Sequence, residues 1–155
     1  MDGAGSRRKS VKIAGGKDDM KKKLFLHTDG CSRGNPGPSG IGVLIQDHKK
    51  KVLKESYRYL GEATNNIAEY SALIHGLEEA RMIGADEVTV YMDSELVVRQ
   101  INGEYRVKDA MMKKLFAGAI QLLGEFKAFE VKHIDRSKNK EADKLANKAI
   151  NLAGV

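Results

Sequence analysis

The chain has no tryptophan, one cysteine and two prolines among its 155 residues. A lone cysteine, Cys31, cannot form an internal disulfide. That excludes a disulfide-stapled scaffold and makes the reducing cytoplasm the expected compartment. No apolar run reaches the roughly 18 residues of a membrane-spanning helix. The N-terminus lacks the apolar core of a secretory signal, so no membrane association is expected. Both prolines, Pro36 and Pro38, fall in one glycine-rich stretch, and no internal repeat is visible.

What is present describes one domain with room for a real core. The hydrophobic fraction is 41% and the charged fraction 31%, which fits a globular domain carrying a polar tail. The net charge of +6 favours anionic partners, nucleic acid being the commonest. Part of that excess sits near the start, in "MDGAGSRRKSVKIAGGKDDMKKK", which is rich in Gly, Lys and Arg and has no sustained periodicity. Residues 1–22 are expected to be a mobile basic tail, and residues 23–155 the folded domain.

From residue 24 the pattern is regular. Leu24–Thr28, Ile41–Gln46 and Val52–Leu60 read as three strands, with "DHKK" as the hairpin turn between the second and third. The period then changes to helical over Ile67–Met82, where Ile67, Tyr70, Ile74 and Leu77 recur, and Gly84 supplies a stop. A strand over 87–92, a short helix over 94–101, a longer helix over 110–123, a strand over 126–134 and a helix over 139–152 follow. The predicted order is β-β-β-α-β-α-α-β-α. Strand–helix–strand links make parallel, right-handed crossovers, so the expectation is an α/β fold with a mixed sheet and helices packed on it.

Four acidic residues fall where structure or apolar neighbours make them conspicuous. Asp29 is expected to end the first strand, in front of "GCSRGNPGPSG". Glu69 lies near the start of the long helix, in "TNNIAEY"; Asp93 follows the fourth strand, in "VYMDS"; Asp143 opens the last helix, in "NKEADKLA". Each has a plain reading. Asp29-Gly30 is a common turn pair; Asn66 with Glu69 fits a capping box; Asp93 or Ser94 suits a helix cap; Asp143 suits a solvated helix face. Together they point elsewhere. Adjacent first and fourth strands bring Asp29 and Asp93 to one sheet edge, and carboxylates gathered there repel one another unless a cation neutralises them. Oxygen-only ligands suit magnesium or manganese. Two such ions about 4 Å apart support chemistry on phosphodiesters. Donors for sugar and phosphate lie nearby in "CSRGNPG", with Asn35, and in "TNN", with Thr64, Asn65 and Asn66.

The segments "TDGCSRGNPGPSGIG", "TNNIAEYSAL", "DSELVVRQINGEYRVK" and "RSKNKEADKLANKA" resemble the type-one ribonuclease H family in order and spacing, over about residues 23–153. Four separated motifs make a specific signal. The resemblance implies the ribonuclease H-like fold, with a five-stranded mixed sheet and helices on both faces. It also implies metal-dependent endonucleolytic cleavage of the RNA strand of an RNA–DNA hybrid, with two Mg2+ ions during catalysis, or Mn2+ in their place. It places Asp29, Glu69, Asp93 and Asp143 on the family's metal-binding carboxylates, Asn35, Asn65 and Asn66 on positions that contact the hybrid in the minor groove, and Thr64 on a position associated with a DNA phosphate pocket. A monomer is expected.

The chain departs from the bacterial pattern in lacking a basic, Trp-rich protrusion: "GEYRVKDAMMKK" is short, so the resemblance is to compact members. Lys108, Lys113 and Lys114 are candidates for hybrid affinity and equally for a solvated face. Glu95 stands where many members have Gln. Arg136, in "DRSKN", fits the place of the family's mobile product-release histidine better than His133, which reads as a strand-end residue. His27 and His75 read as structural. The alternatives are a non-catalytic hybrid-binding module, or another nuclease, on the same fold. The presence of all four acids argues against the first, and the intact "TNN" and "GNPG" against the second.

Overall fold

The computed structural model describes residues 22–155. Five strands form, β1 (Lys23–Ser32), β2 (Gly37–Gln46), β3 (Val52–Ala63), β4 (Glu87–Met92) and β5 (Ala128–His133), with four helices, α1 (Asn65–Ile83), α2 (Glu95–Ile101), α3 (Ala110–Leu123) and α4 (Lys140–Leu152). They make one sheet in the order β3-β2-β1-β4-β5. β1 pairs antiparallel with β2, and β2 with β3, through short links; β1 with β4 and β4 with β5 are parallel, each reached by a helical crossover.

Strand alternation decides which helix covers which face. Leu24, Leu26 and Thr28 of β1 and Val43 and Ile45 of β2 turn to the side of α1, where Gly76 lies against Thr28, Leu26 and Val43. α3 packs on α1. Their shared core takes in Tyr70, Leu73, Leu77, Val90, Val97, Ile101, Leu123 and Val131. Each large apolar side chain buried there contributes about 1.5–3 kcal/mol. Gly40 and Gly42 of β2 face the other way, onto α4, whose buried stripe is Ala142, Ala146, Ala149 and Ile150. A Cβ on Gly42 would overlap the Ala142 carbonyl and stand 2.7 Å from the Ala146 nitrogen. Small residues on both partners let the α4 backbone lie directly on the sheet.

The glycine-rich stretch between the first two predicted strands is mostly strand itself. β1 continues to Ser32 and β2 starts at Gly37, leaving a turn of residues 33–36 closed by the Arg33 N–H to Pro38 carbonyl bond (2.8 Å). Asp29 therefore sits inside β1, paired with Gly42, and does not end it. Glycine at 30, 40 and 42 serves close helix approach, which a sequence pattern does not distinguish from flexibility. The plain alternative for Glu69, a capping box with Asn66, does not hold: α1 begins at Asn65 and its cap is Thr64, whose Oγ1 accepts from the Ile67 N–H (3.3 Å). Gly84 ends α1 as expected, at φ 97°. β3 runs three residues past the expected end, to Ala63, where Ser32 Oγ (2.9 Å) and Ser39 Oγ (3.0 Å) bond the Ala63 carbonyl. The basic tail expected at the N-terminus falls almost wholly outside the described residues. Lys22 is joined to the domain through its N–H to Asp86 Oδ2 (2.8 Å) and its carbonyl, which accepts from the Asp86 N–H (2.8 Å).

Candidate active site

Asp29 enters from the middle of the sheet, on the β1 face that looks toward α4. Glu69 comes from the first turns of α1, which closes on β1 because Gly30 has no side chain. A Cβ there would overlap the Ala68 carbonyl and stand 2.5 Å from the Glu69 nitrogen. The same closeness lets the Gly30 N–H donate to Glu69 Oε1 (3.2 Å). Asp93 follows β4. The helix after it is capped by Ser94, whose Oγ accepts from the Val97 N–H (3.3 Å), so Asp93 is free of that duty. One carboxylate oxygen each from Asp29, Glu69 and Asp93 lie within 4.8 Å of one another. Asp143, on the first turn of α4, stands outside that trio but is near enough to Asp29 to raise its pKa, and it lines the same pocket of about 110 Å³.

Asp29 and Glu69 are each 4% exposed. Burial, and then the neighbouring acids, raise both pKa values well above the ordinary carboxylate range: Glu69, Asp93 and Asp143 act on Asp29, and Asp93 chiefly on Glu69. Among the described residues the one cation lining the pocket is Arg136, an exposed side chain whose Nη2 lies 3.9 Å from Asp143 Oδ1. Four carboxyl groups with one guanidinium leave an excess of hard, anionic oxygen. That donor set fits a divalent cation of the magnesium or manganese type. Cys31 also lines the pocket, where burial and the neighbouring Asp29 push its thiol up to about 11, away from the thiolate form a nucleophile needs.

The remaining predicted site residues sort clearly. Asn65 lines the pocket; Thr64 spends its hydroxyl on the helix cap; Asn35, exposed on the β1–β2 turn, is tied to α1 by its Oδ1 accepting from the Asn65 N–H (3.0 Å). Asn35 and Asn65 thus meet beside Glu69, with Thr64 and Asn66 flanking Asn65 in the chain. Arg136 lies in a single 3-10 turn, Arg136–Lys138, at the pocket mouth, whereas His133 ends β5 as an exposed residue outside the pocket lining. Glu95 pairs with Arg99 (2.8 Å) on the α2 surface. His27 stacks on Tyr91 at 4.9 Å. His75 reaches Glu79 (3.1 Å), which also accepts from Ser56 Oγ (2.6 Å) and so joins α1 to β3. Lys108, Lys113 and Lys114 are exposed.

A family model described as reverse transcriptase-like matches residues 27–149. Ribonuclease HI of Halobacterium salinarum is 36% identical over 135 residues, covering 87% of this chain and 68% of that one. The chain belongs to the type-one ribonuclease H family. The crystal structure of ribonuclease H1 from the same archaeon superposes with a TM-score of 0.82, covering 83% of this chain and 98% of that one. LC11-RNase H1, isolated from compost and crystallised with an RNA/DNA hybrid, is 48% identical with a TM-score of 0.81, covering 85% of this chain and 99% of that one. The bifunctional protein Rv2228c of Mycobacterium tuberculosis is 44% identical over 133 residues, which are 84% of this chain; the chain spans only 36% of that relative.

Two asparagines of the site escaped the sequence reading. Asn147 Nδ2 donates to the Asp143 carbonyl (3.0 Å) and lies 3.4 Å from Asp143 Oδ1, while Arg33 Nη2 bonds Asn147 Oδ1 (3.1 Å). Asn139 Nδ2 reaches Asp93 Oδ2 (3.1 Å). Asn147 lies one helical turn past Asp143, an i to i+4 spacing that was available as a signal. Asn139 reads in sequence only as the first residue of the last predicted helix.

Proposed function

We propose that this chain is an endonuclease that hydrolyses the RNA strand of RNA–DNA hybrids, with two divalent ions, magnesium or manganese, held by Asp29, Glu69, Asp93 and Asp143. The convergence of three carboxylates within 4.8 Å, two of them buried and the third half-buried, carries this reading. The hybrid-bound relative at 48% identity supports it. Such ions, when bound, activate water, hold the scissile phosphate and steady the leaving oxygen. The chain's own residues do the rest. Asp29 and Glu69, shielded from solvent, fix where charge must be compensated. Asn35, Thr64, Asn65 and Asn66 offer polar contacts to sugar and phosphate, so selectivity follows 2′-hydroxyls and duplex shape and not base sequence. Arg136, at the mouth, meets phosphate on the way in or out. The working form is a cytoplasmic monomer.

The test is a cleavage panel with end-labelled hybrid, RNA duplex and DNA duplex, each with magnesium chloride or with EDTA. The expected result is magnesium-dependent cutting of the RNA strand of the hybrid. Cutting of the DNA duplex, or equal cutting with EDTA, overturns the reading. Asn35→Ala is expected to raise KM for the hybrid more than it lowers kcat, at a cost of about 1 kcal/mol for one polar contact. Unchanged KM with a melting temperature lower by several degrees would make Asn35 only the tie between the β1–β2 turn and α1.

A further inference from the structure

We propose that Asn139 is a positioning residue of this site, setting Asp93 against Asp29 and Asp143; the inference rests on the reading of the four acids as one metal-holding site. Asn139 occupies the cap position of α4 and is 1% exposed. An asparagine there ordinarily turns its Oδ1 onto a free N–H of the first helical turn. This one makes no side-chain cap bond. Its amide points the other way, and Nδ2 donates both to the Thr28 carbonyl (3.0 Å) and to Asp93 Oδ2 (3.1 Å). Its own carbonyl accepts the Asp143 N–H (3.1 Å). One buried residue therefore touches the β1 residue that precedes Asp29, the Asp93 carboxylate and the Asp143 backbone.

Asp93 needs such a partner. β4 ends at Met92, whose carbonyl takes the Ile134 N–H (2.9 Å), so Asp93 lies just beyond the ladder that would hold it. The chemistry of the donor matters as well. A lysine or arginine in this place would neutralise the charge a cation needs, while an amide orients one oxygen of Asp93 without adding charge. The arrangement is unfavourable as packing alone: Asn139 Oδ1 is buried with no hydrogen-bond partner among the described residues, and a buried polar atom left unpaired costs about 1–3 kcal/mol. A residue selected only to start α4 would use that oxygen as the cap. Residues that hold metal ligands in place typically change metal affinity or activity about 10–100-fold when removed.

The experiment compares wild type, Asn139→Ala and Asn139→Ser. Magnesium chloride is titrated calorimetrically into the protein without nucleic acid, alongside hybrid cleavage at several magnesium concentrations and thermal melting. Asn139→Ala is expected to weaken magnesium binding about 10–100-fold and to lower kcat at fixed magnesium. Raising the magnesium concentration should restore part of the loss, and KM for the hybrid should stay within about twofold. Serine restores a helix cap and lacks the amide donor, so Asn139→Ser should show the same metal defect even if the alanine variant fails to fold. Variants that melt lower but bind magnesium and cleave within twofold of wild type would overturn the proposal, leaving Asn139 a purely structural residue. A wild-type chain that binds no magnesium would instead overturn the reading of the site, and this inference with it.

Discussion

Asp29→Asn is expected to cleave hybrid at no more than about one thousandth of the wild-type rate, a loss of the order seen when a group at the reaction centre is removed, while its metal-free form melts higher than wild type at pH 8. The two effects have one cause. Asp29 is 4% exposed and stands among Glu69, Asp93 and Asp143, so its charged form is disfavoured unless a cation is bound. Its folded pKa is raised above the unfolded value, as is that of Glu69. An acid of this kind contributes stability that is fully present below the unfolded pKa, about 4, and is lost as pH rises through neutrality toward the raised folded value. While one such group titrates, the slope is about 1.4 kcal/mol per pH unit. The metal-free wild type should therefore lose melting temperature steadily from pH 5 to pH 9. Asp29→Asn should lose less, and magnesium chloride should flatten the wild-type curve. A wild-type curve that rises over this range would contradict the burial and repulsion assigned to Asp29.

Gly30→Ala is expected to lower stability by about 1–3 kcal/mol, the usual cost of overpacking, and to impair cleavage in the protein that remains folded. The added Cβ would overlap the Ala68 carbonyl, so α1 must move away from β1. That movement breaks the Gly30 N–H to Glu69 Oε1 bond and carries Glu69 out of the trio. Urea denaturation midpoints and kcat corrected for the folded fraction separate the loss of stability from the loss of cleavage. A Gly30→Ala variant with wild-type kcat would mean that Glu69 does not depend on this contact.

The element order and the four acids were legible because each rests on a local signal. Alternation marked β4, helical spacing marked α1 and α4, and each acid stood beside a change of period. The mixed sheet followed from crossover handedness. What failed depended on contacts made across the fold. Gly30 and Gly40 fell outside the predicted strands because glycine is favoured both in turns and where a helix backbone presses on a strand, and only tertiary packing separates the two. The cap of α1 is Thr64, two residues before the Asn66 that the capping-box reading would have used. Asn139 gave no sign because its partner Asp93 lies 46 residues away in sequence.

The central claim is that Asp29, Glu69, Asp93 and Asp143 form one cation site, and the most direct measurement of it is anomalous diffraction from crystals of the protein soaked in manganese chloride at pH 8. The account predicts an anomalous peak within coordination distance of carboxylate oxygens of Asp29, Glu69 and Asp93. A second peak beside Asp29 and Asp143 is expected when hybrid is also bound. Manganese found only on surface carboxylates such as Glu95 and Glu104, with none among Asp29, Glu69 and Asp93, would contradict it.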